Sequence, residues 1–211
     1  HDGLHRVVDG DVALALQVVD GLERRELVPM GHGERTSRYA AMLAEKLELL
    51  PADRADLDLA CRLVDLGKAW VRPALLQRDD LNEAEAAALR DHPIQAAEQL
   101  ECLPGLRRVA TIVRHQLERQ DGCGHPSALR GDRIPLGSRV LVIASTFDLL
   151  TTCGAHHTLN WEDALEQMRE DRGEVYDPWL FDLFAELVRE NPPELDADRA
   201  VMILPGGSVP E

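Results

Sequence analysis

An all-α fold is what this 211-residue chain predicts. Ala, Leu, Glu, Arg and Asp are abundant and only 4% of residues are aromatic, a balance that favours helix over sheet. Apolar residues recur at intervals of three and four through most of the length, the period of helices with one buried face. Breaks fall where Pro29, Gly31, Pro51 and Pro93 stand, since proline and glycine end or delay helices. A chain of this size fills one core, so one domain with appendages is expected.

In chain order, residues 11–27 form an apolar leading helix that packs on the domain or pairs with a partner, with Gly21 weakening its continuity. The next helix follows Gly31, carries His32 at its start, and sets Ala40, Leu43, Leu47 and Leu50 on one face. Pro51 and Asp53 open a further helix with Leu59, Leu63 and Leu66 as its buried stripe, ending at Gly67-Lys68. An acid, Asp65, lies near the end of that apolar run. The run D-D-L-N-E-A-E-A-A-A-L-R is a short acidic helix stopped by His92-Pro93, because the residue before proline is pushed out of helical geometry. Helices over 94–102 and 105–118 lead into a loop at 114–135. Beyond it, Leu136, Val140, Ile143, Phe147 and Leu150 mark one buried side of a helix packed beneath that loop. Helices over 161–172 and 178–190 follow, the second burying Leu180, Phe184 and Leu187. V-M-I-L before P-G-G then reads as a short extended tail, an edge strand that starts another module. The resulting division is 1–29 leading helix or linker, 30–191 domain, 192–211 tail.

The loop at 114–135 places Gly122, Gly124, Pro126, Gly131 and Pro135 in a short polar span, so the backbone turns repeatedly in the open. Loops of this length inside a compact domain are ordered and functional more often than they are spacers. Its flanks are locally basic, with seven Arg against three acids between Pro104 and Arg139.

The remainder of the chain is acidic, and the formal net charge is -15. A nucleic-acid polymer would be repelled at long range, but the local arginine excess suits a small charged ligand. Cys61, Cys102, Cys123 and Cys153 show no C-x-x-C spacing, which excludes a zinc knuckle and a disulfide framework and points to a reducing, cytoplasmic setting. No apolar run approaches the roughly 18 residues of a membrane span. A chain that begins at His1 rather than Met reads as a piece of a longer protein that includes an upstream sensor or receiver domain. His1-Asp2 reads as a frayed terminus rather than a metal dyad. His156-His157 diverge if helical, so they read as ordinary polar groups. The Cys123 thiol has no base and orienter beside it in sequence.

Several motifs occur in series: G-H-G-E-R-T-S-R-Y-A-A-M-L-A-E-K-L at 31–47, L-V-D-L-G-K at 63–68, D-H-P at 91–93, E-R-Q-D-G-C-G-H-P at 118–126, G-D-R-I-P at 131–135, F-D-L-L at 147–150 and Y-D-P at 176–178. Their order and spacing resemble the HD-GYP domain family over roughly residues 30–190. The resemblance implies an HD-type bundle of about seven or more helices around His and Asp ligands for two or three iron or manganese ions. It also implies hydrolysis of cyclic di-GMP, where adjacent hard cations activate water and neutralise the phosphoryl oxygens.

Carried over residue by residue, the resemblance leaves His32, Asp65 and His92 on metal-ligand positions. It puts Val64, Gln116, Leu117 and Ser145 where four other ligands would stand. His115 is one residue out of register with the lost pair, about 100° around a helix. On the substrate side, Lys68, Arg119, Asp121 and Gly122 are retained and His125 replaces a tyrosine, so these five are the candidate ligand-binding residues. Lys68 suits a phosphate contact and a helix-end cation equally; Glu118 to Gly122 suit function and loop geometry alike. A degenerate, catalytically inactive regulatory, protein-interaction or ligand-binding module is expected, with Asp65 and Lys68 as catalytic remnants and no cofactor. The alternative is a metal-dependent phosphodiesterase with one iron or manganese ion and an unusual ligand set that includes His115 or Glu118. Expected partners are cyclic di-GMP and a diguanylate cyclase or adjoining signalling domain; a homodimer is compatible with the pattern.

Overall fold

The computed structural model describes residues 2–152 and 158–193, with side chains from Gly10 onward. Its helices are α1 (Asp2–Arg24), α2 (His32–Lys46), α3 (Pro51–Arg62), α4 (Pro73–Leu76), α5 (Glu83–Arg90), α6 (His92–Glu101), α7 (Arg107–Arg114), α8 (Leu136–Thr152), α9 (Trp161–Glu170) and α10 (Pro178–Glu190). Two 3-10 turns, Leu66–Trp70 and Gly131–Arg133, complete a fold with no strand among the described residues. The all-α bundle expected from periodicity is what forms. No helix among the described residues is long and apolar enough to cross a membrane. His1, Cys153, His156-His157 and the V-M-I-L tail lie outside the described residues.

At the centre, α2 packs on α3 and α8, α6 packs on α7 and on the Leu66–Trp70 turn, and α10 closes over α2 and α8. Tyr39, Phe147 and Phe184 meet edge to face where α2, α8 and α10 converge, with centroids 4.9 Å apart for Tyr39–Phe147 and 5.2 Å for Phe147–Phe184. Such pairs stabilise beyond the area they bury. Phe147 is fully buried, so Phe147→Ala is expected to destabilise by about 3–5 kcal/mol, measured as a shift of the urea midpoint.

Several boundaries differ from the sequence expectation. α1 runs unbroken through Gly21, where a side chain would meet open space; its buried Ala15 and Val19 join the core. It packs on the Leu66–Trp70 turn. α2 stops at Lys46, so Leu50 is not on its buried face but is 68% exposed at the cap of α3. α3 ends at Arg62, earlier than Gly67-Lys68, because the chain tightens into the 3-10 turn that carries Gly67 and Lys68. α7 ends at Arg114 rather than 118, and α4 had no clear sequence signal. The acidic α5 forms as expected, fastened by a capping box in which Asn82 and Glu85 bond each other's backbone N–H groups at 3.0 and 3.1 Å. Cys61 is buried, which pushes its thiol pKa up, and Cys102 and Cys123 are exposed; all three are free.

Candidate functional site

His32, on the first turn of α2, is held from both ring nitrogens. Its Nδ1–H donates to Asp148 Oδ2 at 2.7 Å, and its Nε2 lies 3.1 Å from the Ser145 hydroxyl, one turn earlier on α8. Asp148 is fully buried and also accepts from Arg35 Nε at 2.6 Å and Arg35 Nη2 at 3.0 Å. A carboxylate on Nδ1 leaves Nε2 as the outward-facing nitrogen, the orientation that metal-ligating histidines use. Here a serine hydroxyl fills that position.

Asp65 and Lys68 lie at the start of the Leu66–Trp70 turn and within it, and the Lys68 ammonium sits 2.6 Å from Asp65 Oδ1. His92 opens α6 and its Nδ1–H donates to the Leu89 carbonyl at 2.9 Å. Burial pushes the His92 pKa below its ordinary value, and the nearby Lys68 charge adds to the effect against the opposing backbone bond and Asp65. These two elements are pressed together at Gly67: a Cβ there would lie 1.7 Å from the His92 carbonyl oxygen.

Three of the four replaced positions are engaged by other protein groups, and Leu117 is not. Gln116 is buried and its Nε2 donates to the Val64 carbonyl at 3.2 Å, so one lost position braces another. Leu117 is 36% exposed, and Ser145 is spent on His32. His115 turns back on its own helix, donating from Nδ1 to Thr111 O at 2.9 Å. Among the described residues no three His, Cys, Asp or Glu side chains form a group able to hold a metal ion. Aliphatic groups have no lone pair to give and the Asp65 carboxylate already has a cation, so this donor set does not fit a two-metal centre.

The loop after α7 is ordered by its own carboxylate. Glu118 is buried and accepts the N–H groups of Ser127 at 2.7 Å and Leu129 at 2.9 Å. Its far side is tied down by Gln120 N–H to Val175 O and Asp121 N–H to Glu174 O. Gly124 is obligatory, since a Cβ there would lie 2.2 Å from Arg119 N, and Gly122 has a φ of 81° that favours glycine. Arg119 and Asp121 face each other, Nη2 to Oδ2 at 2.7 Å; the guanidinium and the Cys123 N–H hold the Asp121 pKa down to about 2. His125 Nε2 lies 2.8 Å from Asp91 Oδ1, close enough for an ion pair but out of line for a hydrogen bond. Of the five ligand-binding candidates, Arg119, Asp121, Gly122 and His125 therefore share this loop, and Lys68 sits apart on the 3-10 turn. Glu118→Ala is expected to cost about 2–3 kcal/mol, because two loop N–H groups lose their charged, buried acceptor; amide exchange at Ser127 and Leu129 should rise with it.

Asp148 and Arg35 were not singled out from the sequence. The available signal was an acid inside the strongly apolar α8, next to Phe147.

Comparison with known proteins gives a consistent set of relatives. An HD domain family model matches residues 16–180. The 3'3'-cGAMP-specific phosphodiesterase 3 of Vibrio cholerae is 32% identical over 72% of this chain and 33% of its own length. The cyclic di-GMP phosphodiesterase response regulator RpfG of Xanthomonas campestris pv. campestris is 31% identical over 71% of this chain and 40% of its own. The chain thus spans well under half of these relatives. The HDG"Y"P protein Bd1817 of Bdellovibrio bacteriovorus superposes with a TM-score of 0.66 at 20% identity, covering 89% of this chain and 64% of its own. The cyclic GMP-AMP specific phosphodiesterase structure from V. cholerae gives 0.65 at 21%, covering 88% and 49%. Likeness at this identity speaks to the fold.

Proposed function

Because the chain belongs to the HD domain family, we propose that it is a degenerate HD-GYP domain that has lost two-metal phosphodiester hydrolysis and acts as a regulatory module in cyclic di-GMP signalling. The observation that carries this reading is the closure of the ligand positions on one another: Gln116 on the Val64 carbonyl, Ser145 on His32, Lys68 on Asp65. Hydrolysis of this type needs open coordination positions on adjacent cations. In this chain those positions are filled by protein groups.

What the residues do instead follows from their bonds. Asp148 and Arg35 fix His32, Lys68 pairs with Asp65, and burial disfavours the charged form of His92. If His32, Asp65 and His92 retained a single iron or manganese ion, it would supply a Lewis acid to a phosphate; the proposed module works without one. Cyclic di-GMP, named as the substrate of the RpfG relative, is the proposed ligand, with Lys68 and Arg119 as its phosphate contacts. A diguanylate cyclase or adjoining signalling domain is the proposed partner. α1, packed on the turn that bears Lys68, is the proposed route of coupling.

Elemental analysis of protein purified without chelator tests this, together with chromatography of cyclic di-GMP and 3'3'-cGAMP incubated with it. The expected result is metal far below one ion per chain and intact nucleotides. Near-stoichiometric iron or manganese with hydrolysis would overturn the reading in favour of a phosphodiesterase with a reduced site. Calorimetry at about 100 μM ligand, near the weak end for a signalling nucleotide, separates a ligand-binding module from one that only contacts protein.

A further inference from the structure

The outward side of α10 carries two parallel rows of side chains. Trp179, Leu183 and Leu187 follow one another at four-residue intervals, and Asp182, Glu186 and Glu190 run beside them at the same interval. Residues four apart lie one above the other on a helix, so an apolar ridge and an acidic ridge stand side by side. Trp179 is 62% exposed, Leu183 and Leu187 are half-buried against the core, and the three acids are exposed. A lone exposed leucine is ordinary on a protein surface. An indole at the head of an apolar ridge is different, because tryptophan is among the side chains most enriched at the anchors of interfaces. Its own helix does not need the ring. The Trp179 backbone N–H donates to the capping Asp177 Oδ1 at 3.0 Å, but among the described residues the indole has no hydrogen bond and no ring contact.

Charge decides what would cover this face. Between Trp161 and Glu190 stand ten acids and three arginines, a net charge of -7 within a chain total of -15. Two of those arginines are engaged, Arg172 on Asp182 Oδ1 at 2.7 Å and Arg169 on Glu166 at 3.2 Å. Glu186 and Glu190 have no cation partner among the described residues. A second copy of the face would set acid against acid, and like charges brought together across an interface are strongly unfavourable. The sequence after α10 places Glu194, Asp196 and Asp198 ahead of V-M-I-L, so laying it back along the ridge would add charge of the same sign. A basic amphipathic helix is complementary on both counts. Its apolar residues would cover Trp179, Leu183 and Leu187, its lysines or arginines would meet the acidic ridge, and one of those cations could lie over the indole.

We infer that this face of α10 is a docking surface for a basic amphipathic helix of a partner protein, anchored on Trp179 and oriented by Asp182, Glu186 and Glu190. The surface shares no residue with the remnant metal positions, so it stands whether or not the chain hydrolyses a cyclic dinucleotide.

The test is titration of the full chain with a synthetic amphipathic peptide of leucine and lysine, about four helical turns long, and with its counterpart carrying glutamate for lysine. Subtracting the spectrum of Trp179→Phe isolates this indole from Trp70 and Trp161. The lysine peptide is expected to bind at about 10–100 μM and to move the Trp179 emission to shorter wavelength as the ring leaves water; the glutamate peptide should do neither. Trp179→Ala should weaken binding about tenfold, and Glu186→Lys combined with Glu190→Lys by a similar factor. Glu45→Lys combined with Glu98→Lys makes the same charge change at exposed positions on α2 and α6, and should stay within about twofold of the parent. All of these side chains are exposed, so melting temperatures should hold. No emission change up to about 1 mM peptide, or an equal loss from the control pair, would overturn the inference, the second result meaning that net charge alone attracts the peptide. Sedimentation showing a dimer that Trp179→Ala dissolves would give the face to a second copy instead. A shift of the Trp179 emission to longer wavelength on removal of residues 194–211 would give it to the chain's own tail.

Discussion

Gly67→Ala is expected to be among the most damaging single-methyl additions this chain can receive. The added carbon would arrive 1.7 Å from the His92 carbonyl oxygen and 2.5 Å from its carbonyl carbon, about half a normal contact distance in the first case. Both atoms are backbone, so no rotamer change relieves the clash; the Leu66–Trp70 turn and the start of α6 must separate. Overpacking in a core costs about 1–3 kcal/mol where side chains give way, and an immovable neighbour puts this case above that, at about 4 kcal/mol or more. Chemical denaturation of the variant should show the loss as a lower midpoint. Because the separation pulls Lys68 away from His92, amide exchange at residues 66–70 and 92–95 should rise before global unfolding. Gly21→Ala is the control: a Cβ there meets nothing within 4 Å, and a helix-interior glycine replaced by alanine should gain about 0.5–1 kcal/mol.

Asp148→Ala is expected to cost about 3–5 kcal/mol. The carboxylate is fully buried and receives Arg35 through two nitrogens as well as His32, and removing one member of a buried ionic network leaves the other desolvated charge without its counterpart. The effect should be strongly non-additive: Arg35→Ala combined with Asp148→Ala should destabilise by much less than the sum of the two, since the second change removes the charge the first one stranded. Additivity within about 0.5 kcal/mol would mean that the network contributes little and that Asp148 is held by packing alone. Asp148 ties α2 to α8 across more than a hundred residues, a bond made entirely by protein groups. Chelator treatment is accordingly expected to leave the melting temperature unchanged, in keeping with the proposed function.

Much of this was available before any fold was known. Apart from α4, the helices and their order follow from the three-four apolar spacing, and the family follows from motifs in series between Gly31 and Pro178. Errors came where spacing continues past a helix end: Leu50 keeps the α2 period but belongs to the cap of α3, and 115–118 prolong the α7 pattern after the backbone has turned. Periodicity reports which side chains are apolar; only the competition between a helix and the packing of its neighbours decides where the backbone leaves it. The loop was recognisable from its glycines, yet Glu118 was weighed as an alternative ligand, and its two N–H bonds at 2.7 and 2.9 Å show what holds the loop in shape.

By itself the sequence determines that Val64 and Leu117 offer no lone pair to a metal, since that is a property of the side chain wherever it lies. It likewise determines that His32, Asp65, His92 and Lys68 remain. What each survivor does was decided by the tertiary structure alone. Ser145 takes the open nitrogen of His32, Asp148 the other, Lys68 pairs with Asp65, and Gln116 reaches the Val64 carbonyl. Of these contacts only Lys68 to Asp65 is local in sequence; the others join positions 52 to 116 residues apart. Such distances are bridged by the way α2, α3 and α8 stack, and short-range helical order carries no record of that stacking.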